Sequence, residues 1–351
     1  MKKTLYSISL LGALFTIACT KADDSKTATN AVSKPASAPA AEEKTTTKLV
    51  VYSGRSEGLV GSVLGDFDAA HADIELDVRY NKTPALANQV LAEGDQSPAD
   101  VLWFQDSGYL SSMGDKLMVL PKTLTSTVDQ RFSAPDGRWL GVTGRLRVLV
   151  YNTDKVKPND LPKSLADLTD AKWKGKMGWA PGNASLHAHV SALRHLWGED
   201  KTKAWLQGIK ANEPLRFPKN SPQVKAAHSG EILVGWVNHY YLHKLKQDGY
   251  KAANYSFVTE GDAGNLLMLS GAAIRAASKK QAAALKLLEY LVSDSVQAYF
   301  AQKRFEYPTK PGIKTHPDVT PIKDLKLANI DQKPLADVQK SIALINELGI
   351  E

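Results

Sequence analysis

Residues 238–245 read NHYYLHKL, two tyrosines side by side between two histidines. A phenol with a pKa near about 10 is a poor ligand at neutral pH. Only a hard, highly charged metal displaces its proton, and Fe(III) meets that demand better than Zn(II) or Ca(II). Two phenolates leave Fe(III) with net positive charge and open positions, which an anion held by arginine and amide donors could fill. The plainer alternative is packing, since aromatic rings fill cores and buried tyrosine hydroxyls find partners. His239 and His243 stand four apart and share a helical face, which with a carboxylate would suggest a metal-dependent hydrolase. No HExxH or other zinc spacing lies nearby. No nucleophile, base and orienting group assemble from a recognisable motif either, so a packed or solvated role is the simpler reading for both. His187 and His189 in LHAHV fit a strand or a helix start equally.

The pair needs an element to aim it. EILVGWV predicts a strand ending near Asn238, a good helix N-cap, with a helix from about His239 until Asp248 and Gly249 stop it. Successive helical residues point about 100° apart, which makes joint capture of one small ligand awkward in mid-helix. At the first turn both side chains can reach past the helix end, where the dipole favours a phenolate. Upstream, KLVVYSGR predicts a strand, Glu57 to Ala70 an amphipathic helix, IELDVRY a strand, Pro84 to Ala92 a helix and ADVLWF a buried strand. RLRVLVYNTD, the end of SLADLTDAKWKGKMGWAP and EILVGWVN add strands, and KKQAAALKLLEYLVS and SVQAYFAQKR read as helices. Alternating strands and helices imply an α/β fold with parallel sheets covered by helices, and the units suffice for two lobes. Ligands collect at the carboxyl ends of such strands, where YSGRSE and FQDSG lie.

A chain of 351 residues, 43% hydrophobic and 23% charged, has ordinary globular composition and room for two domains. Its formal charge of +7 falls to +5 without Lys2 and Lys3 and is spread out, with no dense basic run, so nucleic acid is a poor partner. Lys2 and Lys3 precede an apolar run from Leu5 to Ala18 and then Cys19, the single cysteine. The run is too short to span a bilayer and has the plan of an export signal. In LFTIAC it resembles a bacterial lipoprotein signal, which implies a lipid anchor at Cys19; Thr16 stands where such signals carry an aliphatic residue, so a general signal-peptidase cut is the alternative. Residues 20–47, rich in Ala, Thr, Ser, Lys and Pro, cannot bury enough apolar surface to offset their ordering entropy and read as a tether.

VVYSGR, SPADV, TGRLRVLVYNTDKV, LTDAKWKGKMGWAPGNAS, KNSPQVKAAHSGEILVGWVNHYY and LSGAAI...EYPTKPG, in this order, closely resemble the periplasmic ferric-iron-binding proteins of bacterial ABC importers. The resemblance runs from Lys48 nearly to the C-terminus. It implies a two-lobed type II periplasmic binding fold, monomeric, that closes on Fe(III) and an anion and is recognised by a membrane permease. The implied first lobe is 48–145 plus 271–315, and the second 146–270 plus 316–351, with hinge strands near GRLRV and LSGAAI. Tyr240 and Tyr241 match the family's paired tyrosine ligands. Asn220 and Asn238 match anion-contacting asparagines, Asn183 and Ser185 fall in an anion-binding loop, and Arg145 and Arg55 match arginines near the anion. The chain departs from the pattern at Ser56 and Gln105, where the best-known branch carries histidine and glutamate ligands, and a third tyrosine used in other branches is missing from GNASLH. The remaining coordination then falls to carbonate held by Arg55 and Arg145, to water, or to Glu57, Asp106 or His187. A ferric chelate, or a small anionic solute in place of iron, is the alternative for the same fold.

Overall fold

The computed structural model describes residues 46–350. The signal and Cys19 lie outside the described residues, as does nearly all of the tether. In chain order the first elements are β1 (Thr47–Ser53), α1 (Glu57–Ala70), β2 (Ile74–Tyr80), α2 (Thr83–Glu93), β3 (Val101–Phe104), the short helices α3 (Gly108–Ser111) and α4 (Lys122–Thr125), and β4 (Leu140–Asn152). Next come β5 (Met177–Trp179), α5 (Ala184–Trp197), α6 (Glu199–Ala211), β6 (Leu215–Arg216), α7 (Asn220–Ser229), β7 (Val234–Asn238) and α8 (Tyr240–Leu245). The chain closes with β8 (Ala252–Tyr255), β9 (Leu267–Ile274), α9 (Gln281–Leu291), α10 (Asp294–Arg304), β10 (Tyr307–Pro308) and α11 (Val338–Glu347). His187 and His189 are helical, which resolves the strand-or-helix ambiguity of LHAHV.

The strands form one mixed sheet in the order β2-β1-β3-β9-β4-β7-β5-β6, flanked by helices. β1 runs parallel to β2 and β3, and β5 parallel to β7 and β6. β9 is antiparallel to both β3 and β4. Between these groups the thirteen-residue β4 changes partners: Leu140 to Leu146 pair with β9, while Arg147 to Tyr151 pair with β7. Side chains two apart on a strand share a face, so Arg145 and Arg147 project together from the point where the partner changes. Arg145 stands opposite Met268 of β9 and Arg147 opposite Asn238 of β7.

Burial explains why these segments hold. Val60, Val63, Leu64 and Phe67 of α1 pack with Leu49, Val51, Trp103 and the buried faces of α9 and α10. Beyond the switch in β4, Trp173, Trp205, Trp236 and Leu206 form a second core under α5 and α6. α11 lies against α5, with Ser191 Oγ 2.8 Å from Ser341 Oγ and Arg194 reaching Asp337. Gly54 is dictated by crowding: a Cβ there would stand 2.1 Å from Thr83 Oγ1 and 3.2 Å from the Gln105 amide, so only glycine lets the ends of β1 and β3 meet the start of α2. Among the described residues no helix is long and apolar enough to cross a membrane.

Candidate metal centre

β7 delivers the tyrosine pair directly onto α8. The helix is shorter than its sequence suggests: it spans Tyr240 to Leu245, His239 occupies the N-cap, and Lys246 already has extended backbone. Asn238 remains the last residue of β7, so its side chain turns to Arg147 instead of capping the helix. Tyr240 and Tyr241 open the helix, where neighbouring side chains can converge. Their ring centroids lie 4.5 Å apart at 33°. Burial pushes the Tyr240 phenol well above its ordinary pKa, and the adjacent Tyr241 adds to this while Arg145 opposes it. Tyr240 is therefore protonated at neutral pH until something displaces the proton.

His239 fixes the start of the helix. Its Nε2 lies 2.6 Å from the Phe305 carbonyl, its Nδ1 lies 3.1 Å from the Leu146 amide, and its own amide donates to the Leu146 carbonyl. A carbonyl needs a donor and an amide an acceptor, so the ring is a neutral imidazole with Nε2–H, and neither nitrogen is left for a metal. Burial pulls its pKa down to about 4. His243 stacks on Phe305 with centroids 5.1 Å apart and meets His239 only edge-on at 6.4 Å. The i, i+4 histidines are packing groups, and among the described residues no cluster of three His, Cys, Asp or Glu is arranged to hold a metal.

Three guanidiniums surround this region, each about 1% exposed. Arg55 Nη2 sits 2.6 and 2.9 Å from the two oxygens of Glu306. Burial would raise the Glu306 pKa, but Arg55 and Arg145 outweigh it and keep the carboxylate ionised. Arg145 donates to Asp106 Oδ1 at 2.7 Å and to the Gln105 carbonyl. Arg147 differs from both: it donates to Asn238 Oδ1 at 2.9 Å, to Ser185 Oγ at 3.1 Å and to the Trp236 carbonyl at 2.9 Å, all neutral acceptors. Its guanidinium also lies 5.1 Å from the Trp236 ring centre. Burial lowers its pKa, and the two phenols are the groups that work to keep it charged. A buried cation without a carboxylate costs several kcal/mol, which an incoming anion or phenolate would recover.

The four amide and hydroxyl residues singled out in the sequence are drawn together around Arg147. Asn183 caps α5, its Oδ1 accepting from the Ser185 amide at 3.0 Å and from Ser185 Oγ at 2.6 Å. Asn220, the first residue of α7, donates from Nδ2 to Ser185 Oγ at 3.3 Å. Asp106 and His187 line a cavity of about 290 Å³ together with Gly54, Lys82, Gln105 and Tyr109. His187 Nε2 lies 2.7 Å from the Pro181 carbonyl, which leaves Nδ1 as the lone-pair nitrogen, and burial lowers its pKa. Glu57 is apart from this group, exposed at the start of α1 near Tyr80. Ser56 is also exposed, at the N-cap of α1. Larger cavities of about 620 and 460 Å³ lie along the 308–323 loop and beside His243 on α8.

Besides Glu306, two residues here have no role in the sequence reading. Arg147 carried a readable signal, a second arginine two places after Arg145 in an otherwise apolar strand. Tyr109 carried none; it reaches the cavity through the fold of α3, and burial and Asp106 push its phenol up to about 12.

The family model for bacterial extracellular solute-binding proteins matches residues 96–324, more than half of the chain. This chain belongs to that family. Its members bind solutes and are not enzymes, so the hydrolase reading falls on this ground as well as on the geometry of His239. The chain is 31% identical to an Fe(3+)-binding periplasmic protein of Serratia marcescens over 311 residues, covering 86% of this chain and 90% of the relative. It is 32% identical to iron uptake protein A2 of a Synechocystis species over 279 residues, 75% and 80% of the two chains. Among solved structures, iron-bound HitA from Pseudomonas aeruginosa superposes with a TM-score of 0.77 at 29% identity, covering 86% of this chain and 99% of that one. The mixed sheet flanked by helices is thus the periplasmic binding protein fold.

Proposed function

We propose that this solute-binding protein is the substrate-capturing component of a bacterial ABC importer, binding Fe(III) with an accompanying anion and delivering it to a membrane permease. One observation carries the reading: adjacent phenols converge next to Arg147, a buried cation bonded only to neutral acceptors. Fe(III) is hard enough to displace the phenolic protons, and each phenolate formed offsets guanidinium charge. The relatives named for iron support the assignment of the cargo and of a periplasmic location.

Tyr240 and Tyr241 are the protein ligands in this reading, with Asp106 and His187, which line the neighbouring cavity, as candidates for further oxygen and nitrogen donors. Carbonate completes the site, held by Arg145 and Arg147 and by Asn183, Ser185, Asn220 and Asn238; Arg55, its charge met by Glu306, lends positive field. The two lobes are 48–145 plus 271–315 and 146–270 plus 316–351. The partner change within β4 after Leu146 and the packing of α11 on α5 support that division. Closure of the lobes traps the ion, and the closed monomer is the form the permease engages. A lipid at Cys19 holds it at the membrane.

The test is metal content. The mature protein, stripped, incubated with a ferric chelate and bicarbonate and passed through gel filtration, retains one iron per chain with little of the chelator. Retention of the intact chelate in stoichiometric amount would instead make the chelate the cargo, and retention of neither would move the site to small anionic solutes.

A further inference from the structure

We infer that Lys244 tunes the Tyr240 phenolate from outside the metal's coordination sphere, as a positioning residue and not a ligand; this rests on the ferric reading above. Tyr240 and Lys244 are four apart on α8, so they lie one above the other on one helix face. Lys244 Nζ stands 4.6 Å from the centre of the Tyr240 ring, well within the range over which an ammonium is attracted to an aromatic face. Arg55, Arg304 and Glu306 are the charged groups whose fields reach Lys244, and Glu306 is already bound by Arg55. The tyrosine ring is therefore the group on which this ammonium rests. None of the residues that match the metal or anion positions includes it.

A cation over a phenolate ring lowers the energy of the electrons the oxygen donates to Fe(III). Donation weakens, and the phenolate-to-iron transition moves to higher energy. The effect needs no change in ligand set or lobe closure, so it leaves a spectroscopic signature that loss of structure would not mimic.

The test compares visible spectra of iron-loaded wild type, Lys244→Arg, Lys244→Gln and Lys244→Glu, each with bicarbonate. Lys244→Arg keeps the wild-type maximum. Lys244→Gln moves it to longer wavelength by roughly 5 to 10 nm, the band-energy equivalent of a surface cation–π contact, and Lys244→Glu moves it further. In the metal-free protein, the Lys244 ε-methylene protons resonate upfield from the ring current and lose that shift in Tyr240→Leu. Identical maxima in iron-loaded wild type, Lys244→Gln and Lys244→Glu overturn the role of Lys244 alone, as does an unshifted ε-methylene signal. A wild type with no visible band overturns the ferric site and this inference together.

Discussion

Replacing Arg147 with methionine separates the folding role of the guanidinium from its binding role. In the metal-free protein the substitution deletes three hydrogen bonds, to Asn238, Ser185 and the Trp236 carbonyl. Losing donors to these acceptors costs about 1–3 kcal/mol for each one left dry. Against this, a cation buried to 1% exposure and lacking a carboxylate partner is removed, and replacing buried charge by a hydrophobe of similar volume is often neutral or stabilising by about 1–4 kcal/mol. The two effects oppose, so the loss in urea unfolding should fall below the roughly 3–9 kcal/mol of three stranded acceptors taken alone. Anion binding has no such compensation. Truncating one side of a buried, hydrogen-bonded charge pair costs about 2–5 kcal/mol, which is roughly 30-fold to several-thousand-fold in affinity. The assay is the bicarbonate concentration needed for half-maximal iron loading, measured beside the urea midpoint. If Arg147→Met loads iron with the wild-type bicarbonate dependence, the guanidinium does not hold the anion and the reasoning fails.

Other expectations follow from the groups around the pair. His239→Ala strands the Phe305 carbonyl and the Leu146 amide and should cost about 2–4 kcal/mol in urea unfolding; a cost under about 0.5 kcal/mol, the range of a surface change, would show that the ring is not the bolt described. His239 is neutral in the fold, with its pKa depressed to about 4, whereas the unfolded value is about 6.5. The unfolded chain thus binds the extra proton first. Stability from this group is complete above about pH 6.5 and lost as pH falls through about 4, on the order of 3 kcal/mol in all; a urea midpoint flat from pH 7 to 4 would contradict it. Gly54→Ala, with its Cβ 2.1 Å from Thr83 Oγ1, should destabilise by about 1–3 kcal/mol in thermal unfolding, and an unchanged melting temperature would mean that α2 yields freely.

The sequence exposed the parts that depend on local pattern. Alternation in IELDVRY and the 3.6-residue spacing in Glu57–Ala70 matched β2 and α1 to the residue, because each element's burial is set by its own side chains. α8 was drawn too long, since its end is set by tertiary packing of His239 and His243 on Phe305, some sixty residues away. Asn238 read as a cap because asparagine favours that position; a buried arginine on the adjacent strand claimed its side chain. Tyr240, Tyr241 and the amide residues could be named by resemblance, but their gathering around Arg147 could not, because Arg147 and Asn238 are 91 residues apart and meet through strand register. Arg55 and Glu306 are 251 apart, and no sequence spacing announces that pair.

The most direct measurement is the visible spectrum of the stripped mature protein titrated with a ferric chelate in the presence of bicarbonate, beside Tyr240→Phe and Tyr241→Phe. Iron held by the pair gives a phenolate-to-iron charge-transfer band in wild type, saturating at one equivalent and weakened or lost in each variant. A colourless wild type, or a band that survives both substitutions intact, would mean that these tyrosines pack and do not bind iron.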